Sequence, residues 1–139
     1  MISFHYQNDF EPLNNVVYNK WLSAVIASEN KALDKIDFVF CSDDYLHEMN
    51  KQFLDQDTFT DIITFDYCEE NRLSGEIYIS TDRVADNAQV FNVNFEQELH
   101  RVLVHGILHL CGYKDKSPQE IDLMRSKEEE KMNMFHVKH

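Results

Sequence analysis

The chain predicts an α+β fold, a single domain in which a small mixed sheet of four strands is covered by about five helices. Three observations carry that prediction. Four short runs, at 1–6, 36–41, 61–67 and 73–80, carry the apolar, β-branched or aromatic content and the alternation of strands. Between and after them lie segments with apolar residues at helical spacing, most of them opened by Ser, Thr, Asp or Asn. The 139 residues hold 3 glycines and neither an internal repeat nor a low-complexity linker, which favours one domain, 1–139, with its own core.

Taken in order, Met1–Tyr6 alternates weakly and reads as an edge strand. Leu13, Val16, Val17, Trp21, Ala24, Val25 and Ala27 mark a first helix within 11–29, capped by Asn14 or Asn15 if it starts late. The apolar run Ile36–Cys41 is a second strand. Ser42-Asp43-Asp44 then offers an N-cap for a helix through Leu46, Met49, Asn50 and Phe53. Asp61–Tyr67 is a strand, 69–72 a hairpin turn, and Leu73–Ser80 the fourth strand, where Gly75 signals a bulge or a close backbone approach. Thr81 or Asp82 caps a helix reaching about Phe91. Asn92-Val93-Asn94 breaks it, and Asn94 caps the next, which carries Glu98, Arg101, His105 and His109 on one face. Ser117-Pro118-Gln119-Glu120 is a capping box with proline in the first turn, opening a last helix to about Met134. Its Glu128-Glu129-Glu130 run reads as a solvated face, and 136–139 as a disordered tail.

The chemistry concentrates in His105-Gly106-Ile107-Leu108-His109-Leu110-Cys111-Gly112-Tyr113-Lys114-Asp115. Residues i and i+4 of a helix lie one turn apart on one face, so two imidazoles can grip one ion. Gly112 supplies the left-handed residue that ends a helix, and the chain can return Asp115 to the same point. Two His and one Asp leave a fourth position of a tetrahedral zinc site for water, the pattern of a catalytic centre. The carboxylate lowers the net charge at the metal, so the bound water should be less acidic than beside three histidines. It also makes the site more receptive to Mn or Fe(II).

Net charge is −12, which argues against a general nucleic-acid coat. The charge is uneven. Residues 1–98 hold 6 basic and 19 acidic side chains, and 99–139 hold 7 and 6, so the metal-bearing third is the part that does not repel a polyanion. Three cysteines without C-x-x-C spacing read as free thiols, with Cys111 in packing. No signal peptide and no long apolar run is seen, which makes the cytoplasm the expected compartment and membranes unexpected partners.

The run His105–Tyr113 resembles the signature of the YbeY family of bacterial endoribonucleases, His-Gly-x-Leu-His-Leu-x-Gly-Tyr-Asp-His. It matches without a break and then departs, with Lys114-Asp115 where the family has Asp-His. A second motif of the family, in which Leu-Asn and Tyr-Arg pairs precede Thr-Asp-Val-Leu-Ser-Phe, is matched by Met49-Asn50, Phe53, Asp57, Thr60, Asp61 and Phe65. Leu54 stands in the place of its arginine. The resemblance covers roughly 49–134 and implies the same zinc-hydrolase-like fold. It implies a metal-dependent endoribonuclease specific for single-stranded RNA, acting in 3′-end maturation of small-subunit ribosomal RNA and in ribosome quality control. On this reading water on zinc attacks the phosphodiester, and the partners are single-stranded or ribosomal RNA and the small subunit with its proteins, not DNA. Arg101, Lys114 or Lys116 are the candidates to contact phosphate in place of the absent arginine, although Arg101 could equally pair with Glu98. Phe59, Phe65 and Tyr113 are the candidates to stack on bases.

Three other readings compete. A zinc peptidase would need a glutamate at Gly106 to serve as base. A ribosome-associated factor could use the metal only as a staple. An iron oxygenase with two His and one carboxylate normally draws those ligands from strands.

Overall fold

The computed structural model describes residues 1–56 and 59–136. Asp57 of the second motif and residues 137–139 of the expected tail lie outside them. The elements run β1 (Ile2–Tyr6), α1 (Asn15–Ser28), β2 (Ala32–Cys41), α2 (Asp43–Leu54), β3 (Ile62–Asp66), β4 (Arg72–Ser80), α3 (Thr81–Val90), α4 (Phe95–Leu110) and α5 (Pro118–Asn133), with a short 3-10 turn at Met134–His136. The sheet order is β1-β2-β4-β3. β1 and β4 pair parallel to β2, and β3 pairs antiparallel to β4, giving the mixed four-stranded sheet expected.

Local signals explain most boundaries. α1 starts late, with Asn14 accepting from the Val17 amide, because Pro12 and Asn14 favour a turn before the helix. β2 starts at Ala32, four residues before its apolar run. That extension is held by pairing with β4, from Ala32 opposite Arg72 to Lys35 opposite Ser74. α3 is capped by Ser80, whose hydroxyl accepts from the Arg83 amide, and not by Thr81 or Asp82, because β4 runs straight into the helix. α5 has the full capping box at Ser117 and Glu120.

Leu73, Ile77 and Ile79 of β4 and Ile36, Phe38 and Phe40 of β2 face a main core closed by α1 and α4, to which α3 gives Val84 and α5 gives Met124. α2 covers the opposite face with Leu46 and Met49 on Cys41 and Ile63. Gly75 is a close approach, since a Cβ there would stand 2.5 Å from the Phe65 carbonyl oxygen of the paired strand. Gly106 lets α4 lie on the sheet, because its Cβ would press on Ile77 and Ile62.

α1, the turn after α4 and α5 are tied at Glu29. Its Oε1 accepts from the Tyr113 hydroxyl at 2.7 Å, and its Oε2 from Lys127 at 3.4 Å and Lys131 at 2.8 Å. Lys131 is 1% exposed and also meets Glu130. Burial pushes the Glu29 carboxyl up, but the hydrogen bonds from Lys131 and Tyr113, with the charges of Lys131 and Lys127, outweigh it and hold the group below its ordinary range. A depressed folded value gives stability that is present above the unfolded carboxylate value of about 4.3 and lost as pH falls through the folded one. Glu29→Gln is therefore expected to cost roughly 1–3 kcal/mol at pH 7. In urea unfolding the gap to the parent should narrow at acid pH; an equal gap at both would contradict this assignment.

Candidate metal centre

α4 carries the two histidines because its sequence gives it a buried stripe and one open edge. Leu99, Val102, Leu103, Val104, Ile107 and Leu108 are buried, while His105 and His109 are partly open on the adjoining face. Asn94 caps the start of α4 with a 2.7 Å bond from the Gln97 amide. Gly112 follows the helix with φ of +107°, where a side chain is disfavoured, and turns the chain back.

That turn returns Asp115 to the histidines. Its Oδ2 stands 3.4 Å from His105 Nε2 and 3.4 Å from His109 Nε2. Donors bound to one tetrahedral zinc at about 2.0–2.1 Å stand roughly 3.3–3.4 Å apart, which is the separation of Asp115 from each histidine. They form a group of three metal-ligating side chains with donor atoms within 4.8 Å of one another.

Both imidazoles are oriented from behind. His105 Nδ1 donates to Glu128 Oε2 at 2.6 Å, and His109 Nδ1 donates to the Tyr113 carbonyl at 2.9 Å. A carboxylate and a carbonyl only accept, so each ring carries its proton on Nδ1 and leaves the Nε2 lone pair, beside Asp115, free for an ion. Glu128 is 2% exposed. The solvated face expected for Glu128-Glu129-Glu130 therefore holds at Glu129 and Glu130, which are exposed, and fails at Glu128. The inward face of α5 is Met124, Glu128 and Lys131, spaced 4 and 3 apart, and packing buries all three. The burial of Glu128 raises its carboxyl, yet the bond from His105 and the charges of Arg101 and Arg125 bring it below the ordinary range.

The centre opens into a cleft of about 920 Å³ between β3, α3, α4, α5 and the 115–116 turn. Arg101 lines it, but its guanidinium is engaged by three carboxylates: Glu98 at 2.7 and 3.0 Å, Glu128 at 3.3 Å and Asp61 at 3.5 Å. The expected phosphate contact at Arg101 is thus occupied by protein partners. Lys114 is exposed and outside the cleft lining. Lys116 lines the cleft, as do two cations that the sequence reading did not single out, Arg83 and Arg125. Leu54 also lines it. Of the aromatic candidates, Phe59 lines the cleft. Phe65 packs edge-on against Phe53 and Tyr78, and Tyr113 gives its hydroxyl to Glu29 beneath Lys127. Cys111 packs against the core, where burial pushes its thiol up to about 12, and it is not among the grouped donors His105, His109 and Asp115. Among the described residues no helix is long and apolar enough to cross a membrane.

Comparison with known proteins agrees with this geometry. The family model described as Endoribonuclease YbeY matches residues 3–136. A protein of Flavobacterium johnsoniae named Endoribonuclease YbeY is 56% identical over 137 residues, covering 99% of each chain. A Bacteroides fragilis protein of the same name is 49% identical over 115 residues, covering 83% of each chain. The solution structure of TM1509 from Thermotoga maritima superposes with a TM-score of 0.73 at 32% identity, covering 97% of this chain and 89% of that one. With its helix, turn and sheet in the same arrangement and its sequence matched nearly from end to end, the chain belongs to the YbeY family.

Proposed function

We propose that the chain is a metal-dependent endoribonuclease that cuts single-stranded RNA, with zinc held by His105 Nε2, His109 Nε2 and Asp115 Oδ2. The observation that carries this reading is the convergence of those three donors on the wall of a cleft whose charge differs from that of the chain. Four cations, Arg83, Arg101, Lys116 and Arg125, line the cleft beside three carboxylates, Asp61, Asp66 and Asp115, in a protein of net charge −12. The relatives' names supply the reaction class. From the resemblance of the two motifs we take the substrate to be ribosomal RNA of the small subunit near its 3′ end and the setting to be ribosome maturation and quality control in the cytoplasm, with subunit proteins helping to place the enzyme.

A bound zinc ion supplies a Lewis acid and a water of lowered pKa. The protein's own groups do the rest. Glu128 and the Tyr113 carbonyl fix both imidazoles in the ligating tautomer. Lys116, one of the three expected candidates, and Arg125 offer positive charge to the phosphate from the cleft lining, in place of Arg101 and Lys114. Arg101 works as a positioning residue, joining Asp61 of the turn before β3 to Glu98 and Glu128 of the helices. A peptidase is disfavoured because the position that would carry its general base is Gly106, packed against Ile77 and Ile62. The test is removal and return of the metal. A chelator should abolish cleavage of a labelled single-stranded RNA, zinc should restore it, and the same sequence in a duplex should stay intact. Cleavage indifferent to the chelator would contradict the reading.

A further inference from the structure

We infer that one face of α3, Arg83, Asn87 and Phe91, is a nucleotide-binding strip that holds a base of the RNA beside the scissile phosphate. The inference rests on the proposed ribonuclease reading and goes beyond it by assigning a subsite. The three residues are four apart, so they stack along one side of the helix over about 12 Å. All three line the cleft that contains His105 and His109, on the wall formed by α3.

Each side chain is available in a way suited to a nucleotide. Arg83 is fixed in place by Asp43, which accepts from Nη2 at 2.8 Å and from Nε at 3.4 Å, and its guanidinium lies over the Phe59 ring at 5.5 Å. Its Nη1 donates to no group among the described residues, which leaves a fixed donor for a phosphate oxygen. The Asn87 side chain is partly open and makes no hydrogen bond among the described residues, so both halves of its amide are free for the polar edge of a base. Phe91 is 49% exposed and has no ring partner among the described residues. An unpartnered phenyl face on the wall of a polar cleft is a platform for a base, since every nucleobase has a π-face. Cation, amide and ring then follow one another along α3 in the order phosphate, base edge, base face. A single strand with unstacked bases is the form of RNA that such a strip can take.

Anisotropy of a fluorescently labelled single-stranded RNA, in chelator so that nothing is cut, provides the test. Phe91→Ala should weaken binding by roughly 5- to 150-fold, the range of losing one stacked base, and Phe91→Trp should restore it. Val90→Ala changes the neighbouring residue, which is 76% exposed and outside the cleft, and should bind like the parent. An RNA of the same length made of abasic residues should bind the parent and Phe91→Ala equally, because it has no base to lose. If the parent binds RNA in chelator and cuts it once zinc is returned, while Phe91→Ala binds it equally tightly, the strip is not a subsite and the ribonuclease reading stands. If the parent neither binds nor cuts RNA, both fall together.

Discussion

Glu128→Gln is expected to weaken metal binding by about 10- to 100-fold and to lower stability, although residue 128 does not reach the ion. The carboxylate accepts from three donors at once: His105 Nδ1 at 2.6 Å, Arg101 at 3.3 Å and Arg125 at 3.3 Å. An amide of the same shape has one accepting atom, and its NH2 group would face donors. With its oxygen on the site that His105 and Arg101 share, the amide would turn its NH2 group to Arg125, and the negative charge that holds all three donors would be gone. Removing one member of a buried charged pair costs roughly 3–5 kcal/mol. Glu129→Gln, on the exposed neighbour, should change stability by less than about 0.5 kcal/mol. Metal titration followed by urea unfolding measures both effects. Equal behaviour of the two variants would show that the 128–130 run acts as a solvated face after all.

His109→Ala is expected to have the largest functional effect. It removes one of the three donors and leaves Asp115 with a single imidazole at 3.4 Å. Two donors hold zinc far more weakly than three, so the variant should be isolated with little metal and should not cut RNA. Its fold should survive, because His109 is partly exposed and its one hydrogen bond is to the carbonyl of Tyr113 on the adjoining turn. Near-parent circular dichroism together with a missing metal would separate a lost centre from a lost structure.

The parts of this centre that could be read from sequence were those set by local geometry. The histidines at i and i+4 follow from the helix period, and Asp115 follows from the turn that Gly112 permits. The strands with continuous apolar runs were legible for the same reason. The start of β2 was not, because Asp34 and Lys35 separate Ala32 and Leu33 from the apolar run, and pairing with β4 extends all four. Glu128 was hidden because three consecutive acids look solvated. Only the packing of α5 on α4 decides which of them turns inward; the signal available was its spacing from Met124, on the stripe that Lys131 continues. Arg101 was ambiguous in sequence, and tertiary structure resolves it by bringing Asp61 and Glu128 to the guanidinium from two other elements. Arg83, Asn87 and Phe91 share a helix face that can be drawn from sequence, but what the face looks onto depends on where α3 lies relative to α4.

The central claim, that the donors at His105, His109 and Asp115 perform metal-dependent RNA cleavage, is tested most directly by one paired assay. A labelled single-stranded RNA is incubated with the parent and with His109→Ala, purified identically so that a contaminating nuclease would appear in both, and metal content is measured on the same samples. The account predicts about one metal per chain and chelator-sensitive cleavage in the parent, with neither in the variant. Equal cleavage by both, or a parent that holds its metal and leaves free and ribosome-bound RNA intact, would contradict it.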